Sequence, residues 1–158
     1  MRMNTALPNA GSLQVLGLNQ NRIGDLGLSK LAAGLSTNTC NISVLWLMDN
    51  KLIGDSGATA IAAAIQESNN LVELDLSGNN IACEGARALS ETLRATKLNR
   101  LWLGNNVIRD EGGLALLRAK ETCTALDAEL QLDGNLIRYN YSHCPFFSYN
   151  IFSYHLLL

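Results

Sequence analysis

The apolar positions of this chain follow one short pattern, said again and again. It is clearest in Leu71-Val72-Glu73-Leu74-Asp75-Leu76-Ser77-Gly78-Asn79-Asn80-Ile81, which reads LxxLxLxxNxI. Copies begin at Leu13, Ile42, Leu71, Leu98 and Asp127, at intervals of 29, 29, 27 and 29 residues. A fixed period of about 20–50 residues marks stacked units, none of which can bury its apolar face alone. The fifth copy is the weakest: Asp127 stands where an apolar residue is expected, and Leu126 comes one place early.

Inside each copy the inner apolar pair alternates with other residues, the period of a strand with one buried face. The pairs are Leu16 and Leu18, Leu45 and Leu47, Leu74 and Leu76, Leu101 and Leu103, and Leu130 and Leu132. An asparagine follows at Asn21, Asn50, Asn79, Asn106 and Asn135, then an apolar residue at Ile23, Leu52, Ile81, Ile108 and Ile137. The asparagine falls where the chain leaves the strand. Its amide can donate and accept at once, so stacked asparagines are expected to form a ladder that satisfies backbone groups at the turn.

After each asparagine the period lengthens to that of a helix. One face carries Leu28, Leu31, Ala32 and Leu35, and the next repeat carries Ala58, Ile61, Ala62 and Ile65. Ala86, Leu89 and Leu93 follow, then Leu114 and Leu117. Asp25, Asp55 and Asp110 stand where helices should start and are expected to cap them. Gly27, Gly57, Gly85 and Gly112 come just inside, where a missing side chain lets neighbouring helices approach. The second repeat carries one extra residue near Ile53, which should bulge its loop.

Each unit is thus strand, turn, helix and return loop. The expected fold is an α/β solenoid of about four and a half repeats, with short parallel strands on the concave side and helices on the convex side. The solenoid is expected over residues 13–138. Residues 1–12 read either as the end of an earlier repeat, because Leu7 stands before Leu13 as Ile65 stands before Leu71, or as a disordered leader. Residues 139–158 form a non-repeat tail that holds every Tyr and Phe of the chain and no Asp, Glu, Lys or Arg. Two readings fit it. One is a cap over the last repeat, although caps normally show a polar outer face. The other is a foreign end, as from a truncated or misread gene product.

Composition narrows the function. A net charge of −2 and a pI near 5.6 argue against a nucleic-acid partner, which calls for a basic surplus. No apolar run reaches the roughly 18 residues of a membrane span, and Met1–Pro8 has no signal-like core. Cys40, Cys83, Cys123 and Cys144 are far apart without a CxxC pair, which reads as reduced thiols in a cytoplasmic protein rather than a metal site. Both histidines, His143 and His155, lie in the tail. No Ser/His/Asp set and no phosphate-cradling glycine loop is present, so neither catalytic residues nor a cofactor or metal is expected.

The LxxLxLxxN strand, the 27–29-residue period and helix openings such as Ile53-Gly54-Asp55-Ser56-Gly57 resemble leucine-rich repeats of the ribonuclease-inhibitor-like class. That class includes ribonuclease inhibitor, the sensor regions of NOD-like receptors and the Ran GTPase-activating protein. The resemblance implies a curved solenoid that binds proteins on its concave face. A fold of this kind hosts many partners, so it does not name one.

The alignment gives the outward strand positions. They are Val15, Val44, Glu73, Arg100 and Glu129, then Gly17, Trp46, Asp75, Trp102 and Gln131, then Asn19, Met48, Ser77, Gly104 and Asp133. With strands about 4.8 Å apart, Trp46 and Trp102 should flank Asp75 about 10 Å from each other. Tryptophan is enriched at binding hot spots. The alternative is that each ring lies flat over its neighbours and only shields the sheet. Glu73, Arg100 and Glu129 could form a charge ladder across the strands. Asp49, Glu73, Asp75, Glu129 and Asp133 against Arg100 favour a protein partner with a basic patch. The expected function is a protein-interaction module, with Trp46, Asp75, Trp102, Glu73, Arg100, Met48, Glu129, Gln131 and Asp133 as its contact residues. It could be part of a larger NOD-like-receptor-type sensor. The other readings are a regulator of an enzyme, either a GTPase activator or a nuclease inhibitor, and a truncated gene product with no role of its own.

Overall fold

A computed structural model describes residues 12–37, 40–68, 70–122 and 129–138. The readings on the leader, the tail, Cys123, Cys144, His143, His155, Leu126 and Asp127 fall outside these residues or rest almost wholly on residues outside them. The described residues hold five three-residue strands: β1 Val15–Gly17, β2 Val44–Trp46, β3 Glu73–Asp75, β4 Arg100–Trp102 and β5 Glu129–Gln131. Four helices alternate with them: α1 Asp25–Leu35, α2 Asp55–Ser68, α3 Cys83–Ala95 and α4 Asp110–Thr122. The strands form one parallel sheet in chain order, and consecutive helices pack side by side behind it. Strands are about 4.8 Å apart while packed helices need about 8–10 Å, so the stack curves with its strands on the inner side.

The register is the one that the repeat dictates: Leu16, Leu45, Leu74, Leu101 and Leu130 lie in line across the sheet. These leucines and the second inner row meet the apolar helix faces in a single core. Burying one such leucine stabilises by about 1.5–3 kcal/mol. The faces of α1, α2 and α3 bury the residues that helical spacing selects. Helix α4 differs: Leu114 is only half-buried, and Leu116 and Leu117 fill the core with Gly112, Gly113 and Ala119. These are the same places of the repeat that the two preceding helices bury, and Gly113 lies against Ile137, where a Cβ would stand 2.7 Å from it.

The asparagine ladder joins each unit to its neighbour. The Asn106 amide nitrogen donates to the carbonyls of Leu103 and, one unit back, Leu76, at 3.0 and 2.9 Å. Its oxygen accepts the Ile81 N–H at 3.0 Å. Asn50 and Asn135 repeat this with Ile23 and Ile108. Asn79 does not. Its nitrogen reaches Leu47 and Leu76, but its buried Oδ1 has no partner among the described residues. The extra residue in the second repeat is the cause. The Ile53 N–H turns back to the Asn50 carbonyl at 2.8 Å and is lost to Asn79. The same bulge corrects the alignment: Ile53 is fully buried, whereas Leu52 is 64% exposed and pairs only with Gly24 as an isolated bridge.

Asp25 does not cap its own helix. Helix α1 has Gly24 at its N-cap and no side-chain cap bond. Asp25 sits one residue inside, and its Oδ1 accepts the N–H groups of Gly54 and Gly57 at the start of α2, at 2.7 and 3.0 Å. Asp55 does the same for Ala82 and Gly85 at the start of α3, and Asp110 accepts from Arg138. The carboxylates of Asp25 and Asp55 therefore serve free N–H groups at the helix start of the next unit, where the helix dipole favours negative charge. Gly57 and Gly85 leave room for this: a Cβ on them would stand 2.7 and 2.8 Å from the carboxylates of Asp25 and Asp55. At the third unit Cys83 occupies the aspartate position, its Cα 2.9 Å from where a Gly112 Cβ would be, so the side chain at this position offers α4 no carboxylate.

Two predictions follow from these couplings. Asn106→Ala should lose about 1–3 kcal/mol in urea unfolding, because it strands buried carbonyls and an N–H together. Asn79→Ala should cost less, and Asn21→Ala, at an exposed site, least. Cys83→Asp should stabilise the protein by about 1 kcal/mol, since it supplies the missing cap, while Asp55→Ala should destabilise by about 0.5–2 kcal/mol.

Candidate functional site

The strand residues between the buried leucines make the concave face. Val15, Val44, Glu73, Arg100 and Glu129 pair in one row, and Gly17, Trp46, Asp75, Trp102 and Gln131 in the next. Strand alternation forces this, because each central leucine points into the core and its two neighbours point away from it. The sheet thus brings Trp46, Asp75 and Trp102 side by side from residues 56 positions apart in the chain.

Glu73 departs from expectation. It lies in an outward row yet is only 7% exposed. Its Oε1 accepts the Trp46 indole N–H at 2.7 Å, and its Oε2 meets the Arg100 guanidinium at 2.8 Å. The large side chains on both neighbouring strands close over it, which a row of letters does not reveal. The charge ladder stops there: the ion pairs among the described residues include none between Arg100 and Glu129. Glu129 and Gln131 are exposed on the last strand, and Asp133 beyond it is exposed too.

Trp46 is 38% exposed. Its Cε3 edge lies 3.5 Å from the point where a Gly17 Cβ would be, and its N–H edge is held by Glu73. The indole therefore spans β1 to β3 across the sheet. It shields the strands beneath and also keeps open surface. Trp102 and Met48 are half-buried. Asp75 uses Oδ1 to accept the Ser77 N–H at 2.8 Å, which fixes the carboxylate at the end of its strand.

Beyond the strand ends a polar cavity of about 300 Å³ is lined by Asp49, Lys51, Gly78, Asn79, Asn80 and Asn105. Asp49 and Asn105 have left-handed backbone, and so does Gly78, where a side chain would collide with the Asp49 carboxylate. Asp49 thus lies on the rim, apart from the strand rows. Sequence reasoning did not assemble this cavity; its one visible signal was the extra residue of the second repeat. Among the described residues no group of His, Cys, Asp and Glu could hold a metal ion, and no helix is long and apolar enough to cross a membrane. Cys40 is buried and Cys83 half-buried, both as free thiols.

A family model described as "Leucine Rich repeat" matches residues 12–32, 40–62, 67–90 and 94–117, more than half of the chain. The chain belongs to the leucine-rich repeat family. Within that family it is ribonuclease-inhibitor-like. It is 35% identical over 94 residues to ribonuclease inhibitor of Sus scrofa, a match that covers 58% of this chain and 20% of the inhibitor. It is 38% identical over 94 residues to NACHT, LRR and PYD domains-containing protein 12 of Homo sapiens, covering 58% of this chain and 9% of that protein. These leucine-rich repeats thus span about a fifth or less of the length of the relatives they match. Among solved structures, that of leiomodin-1 actin-binding site 2 is similar with a TM-score of 0.70 at 19% identity, over 87% of this chain and 78% of that one. That likeness is one of fold. Repeats and relatives together mark the leucine-rich repeat chain as a protein-interaction module.

Proposed function

We propose that this solenoid, over residues 13–138, docks a protein partner with a basic patch on its concave face, over Trp46, Asp75 and Trp102. The observation that carries the reading is the sheet register, which sets one carboxylate between two tryptophans. Aromatic rings offer contact area and faces that attract cations. Asp75, Glu129 and Asp133 surround them with negative charge, which speeds encounter with a basic surface. Met48 and Gln131 stand beside these groups as further contacts. The reading needs no cofactor, nucleic acid or membrane. Free Cys40 and Cys83 suit the cytoplasm, where thiols stay reduced. Similarity to NACHT, LRR and PYD domains-containing proteins supports a place in a larger sensor of that type.

A second reading is supported by the same acidity together with the similarity to ribonuclease inhibitor: the concave face covers a basic enzyme and regulates it. The two differ in outcome, since only the second changes the partner's turnover.

Trp46→Ala combined with Trp102→Ala should weaken capture of an arginine-rich peptide by about tenfold or more, the loss of about 1.4 kcal/mol or more expected for hot-spot aromatics. Calorimetric titration measures it, and a double variant that binds as tightly as the parent removes the reading.

A further inference from the structure

We infer that Glu73 is the positioning residue of this face: it fixes the Trp46 ring and withdraws the charge of Arg100, so that the groove presents cation-binding groups alone. The inference rests on the docking reading above and assigns a residue that does not itself meet the partner. Glu73 is the one carboxylate of the outward rows that is buried, and each of its oxygens has a single donor from a different neighbouring strand. One side chain thus ties β2, β3 and β4 together on the groove side, where the leucines cannot.

The two contacts have separate consequences. The indole of Trp46 is held at its N–H edge by Glu73 and rests with its opposite edge over Gly17. A ring fixed before docking loses less freedom when a partner arrives. Arg100 is the single basic residue of the outward strand rows, and its side chain remains 47% exposed. Unpaired, it would repel a cationic partner from the row beside Asp75. Paired with Glu73, it leaves Asp75, Glu129 and Asp133 as the uncompensated charges of the face. Asp75 has committed Oδ1 to Ser77, and its Oδ2 has no partner among the described residues. A cationic side chain lying on Trp46 would meet aromatic face and carboxylate together, the combination that binds guanidinium and ammonium groups.

The test uses hexa-arginine peptide as probe and the indole N–H resonance of Trp46 as an independent reporter. Glu73→Gln keeps an oxygen for the indole, so the resonance should stay near its parent position. The freed Arg100 should weaken hexa-arginine binding by about fivefold, through repulsion. Adding Arg100→Gln restores the parent's charge balance and should return affinity to within about twofold, a coupling that independent sites do not show. Glu73→Ala should shift the indole resonance outright. An unmoved resonance in Glu73→Ala overturns the assignment, and so does equal binding by Glu73→Gln with and without Arg100→Gln. A parent protein that does not bind hexa-arginine removes the docking reading and with it any part for Glu73 in binding; the resonance still decides whether Glu73 holds Trp46.

Discussion

The stack depends on one primary amide per unit. Where each strand ends, the chain turns and leaves carbonyls that neither sheet nor helix pairs. The asparagine nitrogen takes one carbonyl from its own unit and one from the unit before, and the oxygen takes an N–H from that earlier unit. Aspartate could not donate and leucine could do neither, so the carboxamide is the group that closes both sides of the account. The bonds run between units, which makes the turn of one repeat complete only when its neighbour is in place.

The helix ends obey the same rule. Asp25 and Asp55 serve the helices of the next units. The glycine three residues into the receiving helix leaves room for the carboxylate, so aspartate and glycine act as a pair across the interface. Leucine burial, amide ladder and carboxylate cap all couple nearest neighbours. Stability in such an array is close to a sum of unit and interface terms. Two interfaces are each short of one term: the second and third units lack the bond to Asn79 Oδ1, and the third and fourth lack a carboxylate at Cys83.

Residues free of these duties face the groove, and there the composition varies from unit to unit. Val, Glu, Arg and Glu succeed one another in one row, and Trp, Asp, Trp and Gln in the other. Stacking is indifferent to most of them, which lets a common scaffold carry a face of its own. Glu73 is the exception, since it has been drawn under Trp46 and beside Arg100 to bind the strands laterally.

The repeat in the sequence determined the architecture, the strand register and most of the core, because stacked copies must bury equivalent positions. It determined too which residues share the concave face, since alternation along a strand admits two sides only. It misplaced what depends on a neighbour's geometry. Leu52 and Ile53 exchange roles because an inserted residue can be absorbed on either side of a turn, and only the stacked loop chose. Leu116 rather than Leu114 fills the core because it stands at the place of the repeat that Ile61 and Leu89 hold in their helices. Asp25 and Asp55 reach across units to the next helix start, and Glu73 is buried, because hydrogen bonds form between groups near in space whatever their separation along the chain.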